Sequence, residues 1–320
     1  MAEAPSSCAS VSLSHDEPLL ATASVVRSWL LVEQPGPWGA DALRQSELPD
    51  HVADVLHDRS TTHDVRVVLL RRPPVREPGS AIDDDDGQGL ACGEVDDGGR
   101  ECFVAHSGPD EPWMEQRRLS AAVDVLGLDM ATVAAGRRPG FGQPSPGPVY
   151  LVCTNSRHDP CCGRLGRPTA RALAQAVGGS VWECSHIGGE RFAANLVCLP
   201  HGLYFGRVGP DDGPRIAAAY ERGEIDLAHF RGRAGDPFVV QAADLLVRRR
   251  HGLTAVDGLR HLGHRSEGTD TVDVVFGTAG GGRLHARVGR TATAEARLLT
   301  CHAARPGRPW AYSLVDSGPA

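Results

Sequence analysis

Between residues 148 and 222 the apolar runs follow one order that few folds accommodate. "PVYLVCT" is apolar throughout and reads as a buried strand. "RPTARALAQAVGG" reads as a helix opened at Pro168 and stopped at Gly178, and "SVWECSH" as a second strand. "ANLVCLP" and "LYFGRV" are two more strands, joined by a tight turn at His201 and Gly202, and "PRIAAAYERG" is a closing helix.

Strand, helix, three strands and a helix, with a hairpin before the last helix, is the order a thioredoxin-like fold requires. In that fold the loop after the first strand carries the reactive chemistry. Here that loop holds Cys153, Cys161 and Cys162.

The first half opens with the strand "WLLVEQ", a Pro/Gly turn "PGPWG", a helix from Ala40 and a second strand from Asp64. Residues 136–148, crowded with Pro, Gly and Arg, mark a domain boundary. The tail predicts a helix over "DPFVVQAADLLVRRRHG", capped by Asp236 with Pro237 in its first turn, then strands at 270–276, 283–289 and 295–301. "GTAGGG" at 277–282 lies between two of those strands and reads as a hairpin loop, because a phosphate cradle needs a following helix.

The chain has 320 residues, 41% of them hydrophobic, which suits two or three packed units. Its formal charge of −7 argues against a nucleic-acid surface. All 33 basic residues are arginine, a bias that codon usage explains as well as binding does. No run of about 18 uncharged apolar residues and no basic leader is present, so the expectation is a cytoplasmic chain with protein partners and no membrane. Nine cysteines in such a compartment point to metal or redox chemistry rather than to a disulfide framework.

Cys184 and His186 end the second strand of the rear half two residues apart, on one face of the sheet. Parallel neighbours would bring them to the edge where Cys153 and Cys162 lie, giving four soft donors. Zinc suits the donors, although structural zinc sites take ligands in short pairs and the gap from Cys153 to Cys162 is long. An iron-sulfur cluster tolerates a wider loop. A dithiol site competes on fold position, but Cys-x-x-Cys spacing is missing and a disulfide between neighbours Cys161 and Cys162 is strained.

Other features read as structural. The acidic stretch "SAIDDDDGQG" fails as a calcium loop, since Gly87 in the sixth position puts Ile82 first and Gly93 last. Cys8, Cys92, Cys102 and Cys301 have no partner at metal-ligand spacing and read as core or surface thiols. His261 and His264 have helical ligand spacing but no companion, and Glu33 belongs to a turn on which Trp38 packs. Arg157, His158 and Asp159 are candidates for outer hydrogen bonds to a bound group.

"VCTNSRHDPCCGRLGRP", followed by "VWECSHIGGERFAANLVCLPHGLYFGRV" and preceded by "TASVVRSWLLVEQPGPWGADAL", resembles the sucrase/ferredoxin-like family, a branch of the thioredoxin-like [2Fe-2S] ferredoxins. The resemblance implies an α/β protein with a thioredoxin-like amino-terminal domain (1–140) and a thioredoxin-like cluster-binding domain (148–234), to which the helix and strands of the tail add a small α+β carboxy-terminal appendage (235–320). It implies a [2Fe-2S] cluster, one-electron transfer and a redox partner such as a reductase, and it does not imply sugar hydrolysis. Cys153 and Cys162 match the two loop cysteines, and His186 the first histidine of an "HxGGH" element. Glu190 stands where the second histidine is found. Since glutamate is a hard ligand, a thiolate is expected instead, Cys184 first and Cys198 in reserve. The expected set is Cys153, Cys162, Cys184 and His186. A thiol-disulfide oxidoreductase or a zinc-stabilised binding module on the same fold is the alternative.

Overall fold

The computed structural model describes residues 7–74 and 99–320. The acidic stretch weighed as a calcium loop, and Cys92, lie outside the described residues.

The first half runs α1 (Cys8–Ser14), β1 (Ser28–Glu33), α2 (Asp50–His63), β2 (Val65–Arg71), β3 (Arg100–His106), β4 (Trp113–Leu119), a 3-10 turn, α3 (Met130–Ala134) and the short β5 (Gln143–Pro144). The second runs β6 (Val149–Cys153), α4 (Pro160–Val177), β7 (Val181–Cys184), β8 (Leu196–Leu199), β9 (Leu203–Phe205), α5 (Asp212–Glu221) and β10 (Phe230–Arg233). The tail adds α6 (Phe238–His251) and four strands, β11 (Leu259–Glu267), β12 (Thr271–Thr278), β13 (Arg283–Ala292) and β14 (Trp310–Pro319).

Among the described residues, ten strands form one mixed sheet in the order β10-β9-β8-β6-β7-β2-β1-β3-β4-β5. Each half repeats one pattern: its first two strands are parallel, the third is antiparallel to the first, and the fourth to the third. The halves meet edge to edge where β2 pairs antiparallel with β7, Leu70 opposite Cys184 and Arg71 opposite Glu183.

The sheet curls, so that strands far apart in its order touch across its concave side. Trp29 of β1 lies 6.3 Å from Tyr204 of β9, and Phe103 of β3 lies 5.9 Å from Trp182 of β7, ring centroid to centroid. Alternation along β6 sorts its side chains: Leu151 and Cys153 join this inner core, while Tyr150 and Val152 pack outward with α4, α5 and α6. The tail strands form a separate antiparallel sheet, β11-β12-β13-β14. Its Val272, Val274, Phe276, Ala286 and Val288 continue the same outer core.

Several expectations need correction. The helix expected from Ala40 begins at Asp50, because Pro49 has no amide to donate within a helix and instead precedes its first turn. Pro168 does not open α4. Asp159 caps that helix and Pro160 takes its first position, which leaves Pro168 in the interior and places Cys161 and Cys162 in the first turn. Asp236 does not cap α6; Pro237 holds that position with no side-chain cap bond. The segment 295–301 is no strand, and the tail sheet draws on β11 and β14 instead. Their alternation is faint in the sequence because both are largely exposed. His261 and His264 therefore sit on a strand.

Candidate metal centres

β6 and β7 run parallel with Cys153 opposite Cys184, so both strands deliver their carboxyl ends to one edge, where α4 begins. Three donors converge there. The ligand atoms of Cys153, Cys162 and His186 all lie within 4.8 Å of one another. Cys184 is buried in the same inner core, but its thiol is not part of that group. Cys198 is opposite Tyr150 and packs in the outer core, on the other face of the sheet from Cys153.

His186 has two distinct sides. Its Nδ1 is 4.0 Å from the Cys153 sulfur, and its Nε2 is 3.5 Å from a carboxylate oxygen of Glu190. The His158 ring stacks on it at 3.7 Å between centroids, and His158, His186 and Glu190 form a second group of donors within 4.8 Å. The carbonyl of Ala40 lies 3.2 Å from His158 Nδ1, and Asn155 donates to the Gly39 carbonyl at 3.1 Å, so the Pro/Gly turn of the first half braces this loop.

The loop that carries His186 is shaped by its glycines. Gly188 and Gly189 have φ of +94° and +79°, a region that suits glycine, and a Cβ at either would collide with Ser24 or with the Arg231 guanidinium. Arg231 is fully buried and donates to Asn195 Oδ1 at 2.6 Å and to the Gly188 carbonyl at 3.3 Å. It is a fixed cation behind the loop.

Electrostatics set the two core thiols apart. The Cys162 thiol donates to Cys153, and this bond, against the cost of burial and with help from His186, holds Cys153 well below the usual thiol range. The same bond and burial push Cys162 up. Cys184 and Cys198 are raised by burial.

A second cluster corrects the expectation that Cys8 and Cys301 have no partners. Cys8 of α1, Asp159 and Cys161 at the start of α4, and Cys301 of the loop between β13 and β14 bring their ligand atoms within 4.8 Å of one another. Asp159 is fully buried. Burial alone would raise its pKa, but the amides of Cys301 and Cys161 donate to its two oxygens at 2.9 Å and hold it below the ordinary value. Burial pushes the Cys301 thiol up to about 11. The local signal was the Asp-Pro pair that starts α4: consecutive helical residues point about 100° apart, so Cys161 and Cys162 face different neighbours.

A family model described as sucrase/ferredoxin-like matches residues 19–232. The chain belongs to the sucrase/ferredoxin-like family. No curated protein and no solved structure matches it. Cys153, Cys162, Cys184 and His186 of this sucrase/ferredoxin-like chain all fall within the matched segment, whereas Cys8 and Cys301 fall outside it. No helix among the described residues is long and apolar enough to cross a membrane.

Proposed function

We propose that this sucrase/ferredoxin-like protein is a one-electron carrier that holds a [2Fe-2S] cluster between β6, the start of α4 and the loop after β7. The convergence of Cys153, Cys162 and His186 within 4.8 Å at one sheet edge carries the reading. The donors fit the group: two soft sulfurs and an imidazole are the ligand types such clusters take. When bound, the cluster supplies a one-electron couple.

The chain's own residues fix the donors. Cys153 is held by the sheet and Cys162 by the first turn of α4. Glu190, at Nε2 of His186, acts as the outer partner that orients the ring and leaves Nδ1 for the metal. For the fourth position we take His158 in place of Cys184, because its ring already stacks on His186 and the Ala40 carbonyl fixes its Nδ1. The repeated strand order supports two thioredoxin-like halves, 1–140 and 148–234, with 235–320 as the appendage. The acidic balance suits a redox partner, such as a reductase, with a basic docking face.

Anaerobic purification with iron and sulfide assay tests the reading. The expected product is brown, holds two irons and two sulfides per chain, and gives an electron paramagnetic resonance signal on reduction. A colourless protein with zinc or free thiols at Cys153 and Cys162 would instead favour the binding module or thiol chemistry. His158→Ala should shift that signal and the reduction potential while Cys184→Ser leaves both in place; the reverse pattern restores Cys184 as the ligand.

A further inference from the structure

The cluster of Cys8, Asp159, Cys161 and Cys301 gathers three segments distant in sequence onto the amino end of α4. Its sulfurs form a nearly regular triangle: 3.7 Å from Cys8 to Cys161, 3.5 Å from Cys161 to Cys301, and 3.4 Å from Cys8 to Cys301. The nearer Asp159 oxygen lies 3.7 Å from the Cys8 sulfur. Four-coordinate zinc, with bonds of about 2.3 Å to sulfur and about 2.1 Å to oxygen, places tetrahedral ligands roughly 3.5–3.8 Å apart. The observed edges, 3.4–3.7 Å, come within a few tenths of an ångström of that size. The carboxylate, a hard oxygen donor, sets this group apart from the all-soft donors of the neighbouring centre and suits zinc better than an iron-sulfur cluster.

We propose that Cys8, Asp159, Cys161 and Cys301 bind one zinc ion in a closed, structural site. The surroundings suit an anionic zinc-thiolate centre. The Cys8 amide points at the Cys301 sulfur at 3.4 Å, and amides of Cys161 and Cys301 fix the carboxylate. The amino end of the 18-residue helix α4 adds its partial positive charge.

The ion would act as a staple. α1 is seven residues long, and the described turns of the segment between β13 and β14 include the isolated bridge of Arg297 with Gly307. Neither piece brings a large apolar face of its own, so a metal that binds both converts ligand affinity into folding free energy. Both lie outside the segment that the family model matches, 19–232, whereas Asp159 and Cys161 lie inside it, so the staple would tie α1 and the segment between β13 and β14 to that part of the chain. Cys161 also precedes Cys162, so zinc would steady the turn that presents Cys162 to the neighbouring centre; only this last consequence rests on the electron-carrier reading.

The full chain, expressed with zinc and iron supplied and purified anaerobically, gives the test by elemental analysis. One zinc per chain is expected, kept in Cys153→Ser and lost in Cys8→Ser and Cys301→Ser. In the parent chain, exchange of zinc for cobalt should give the absorption of tetrahedral cobalt with thiolate charge-transfer bands, and the metal should shield Cys8 and Cys301 from alkylation. The cobalt measurement stands even where a serine variant fails to fold. Zinc lost in Cys153→Ser but kept in Cys301→Ser overturns the proposal, as does a parent chain without zinc whose mass shows a disulfide among the three cysteines, or an octahedral cobalt spectrum. An iron-free protein that still holds zinc in a Cys301-dependent way supports this site and sinks the electron-carrier reading, so the two fail separately.

Discussion

His201, in the turn between β8 and β9, shows how one side chain ties stability to pH. Its Nδ1 lies 2.5 Å from the Tyr220 hydroxyl, and burial, followed by the nearby Arg233 charge, lowers its pKa from 6.5 to about 4. The folded state therefore favours the neutral ring, and the unfolded chain takes up the proton first as pH falls. Its contribution is fully present above pH 6.5 and is lost as pH falls through about 4, amounting to no more than about 3 kcal/mol. Urea unfolding from pH 7.5 to 4 should show a smaller loss in His201→Gln than in the parent; equal losses would remove His201 from the account. The same scale explains why the site was only half legible. Cys153, Cys162 and His186 stand out by type and place, but which way each donor points depends on neighbours. Cys184 keeps the right strand and the right core, and still its sulfur is left out of the compact group.

Elements show a different limit. The strands of the rear half are readable because each is a short apolar run between turn residues, and the parallel pairing of β6 with β7 follows from the intervening helix. The start of α4 is ambiguous in the sequence because two prolines offer themselves, and the one that opens the helix is the one preceded by an aspartate able to cap. α6 holds a polar pair that no hydrophobic pattern marks: Asp244 and Arg248, one turn apart, lie in the core with the guanidinium Nε 2.9 Å from the carboxylate. Arg248 also donates to the Ala255 carbonyl at 2.6 Å, tying α6 to the turn before β11. Asp244→Ala strands a buried cation and should cost about 3 kcal/mol, read as a lowered melting temperature. Replacing both residues, Asp244→Leu with Arg248→Met, should restore part of the loss; no recovery in the double variant would show that the carbonyl bonds matter more than the charge pair.

At the scale of the molecule, the ten strands of the described residues curl into a single sheet so that the turn at 39–40 in the first half reaches His158 and Asn155 in the second. The first half thus walls the candidate cluster site as well as packing beside it. A carrier with a formal charge of −7 that docks on a basic partner should be reduced more slowly as salt rises, because screening shortens the reach of its field. Stopped-flow reduction by a reductase between 20 mM and 500 mM salt would check this, and a rate indifferent to salt would place the docking face elsewhere than in the charge balance. The sequence by itself determined the family, the order of strands and helices in the rear half and three of the converging donors, since periodicity, turn residues and local motifs are short-range properties. Only the tertiary structure decided that β2 joins β7, that His158 stacks on His186 and that Cys8 and Cys301 meet at Asp159 and Cys161. These contacts span tens to hundreds of residues, and they are fixed by the curl of the sheet and the packing of its faces, which no local pattern encodes.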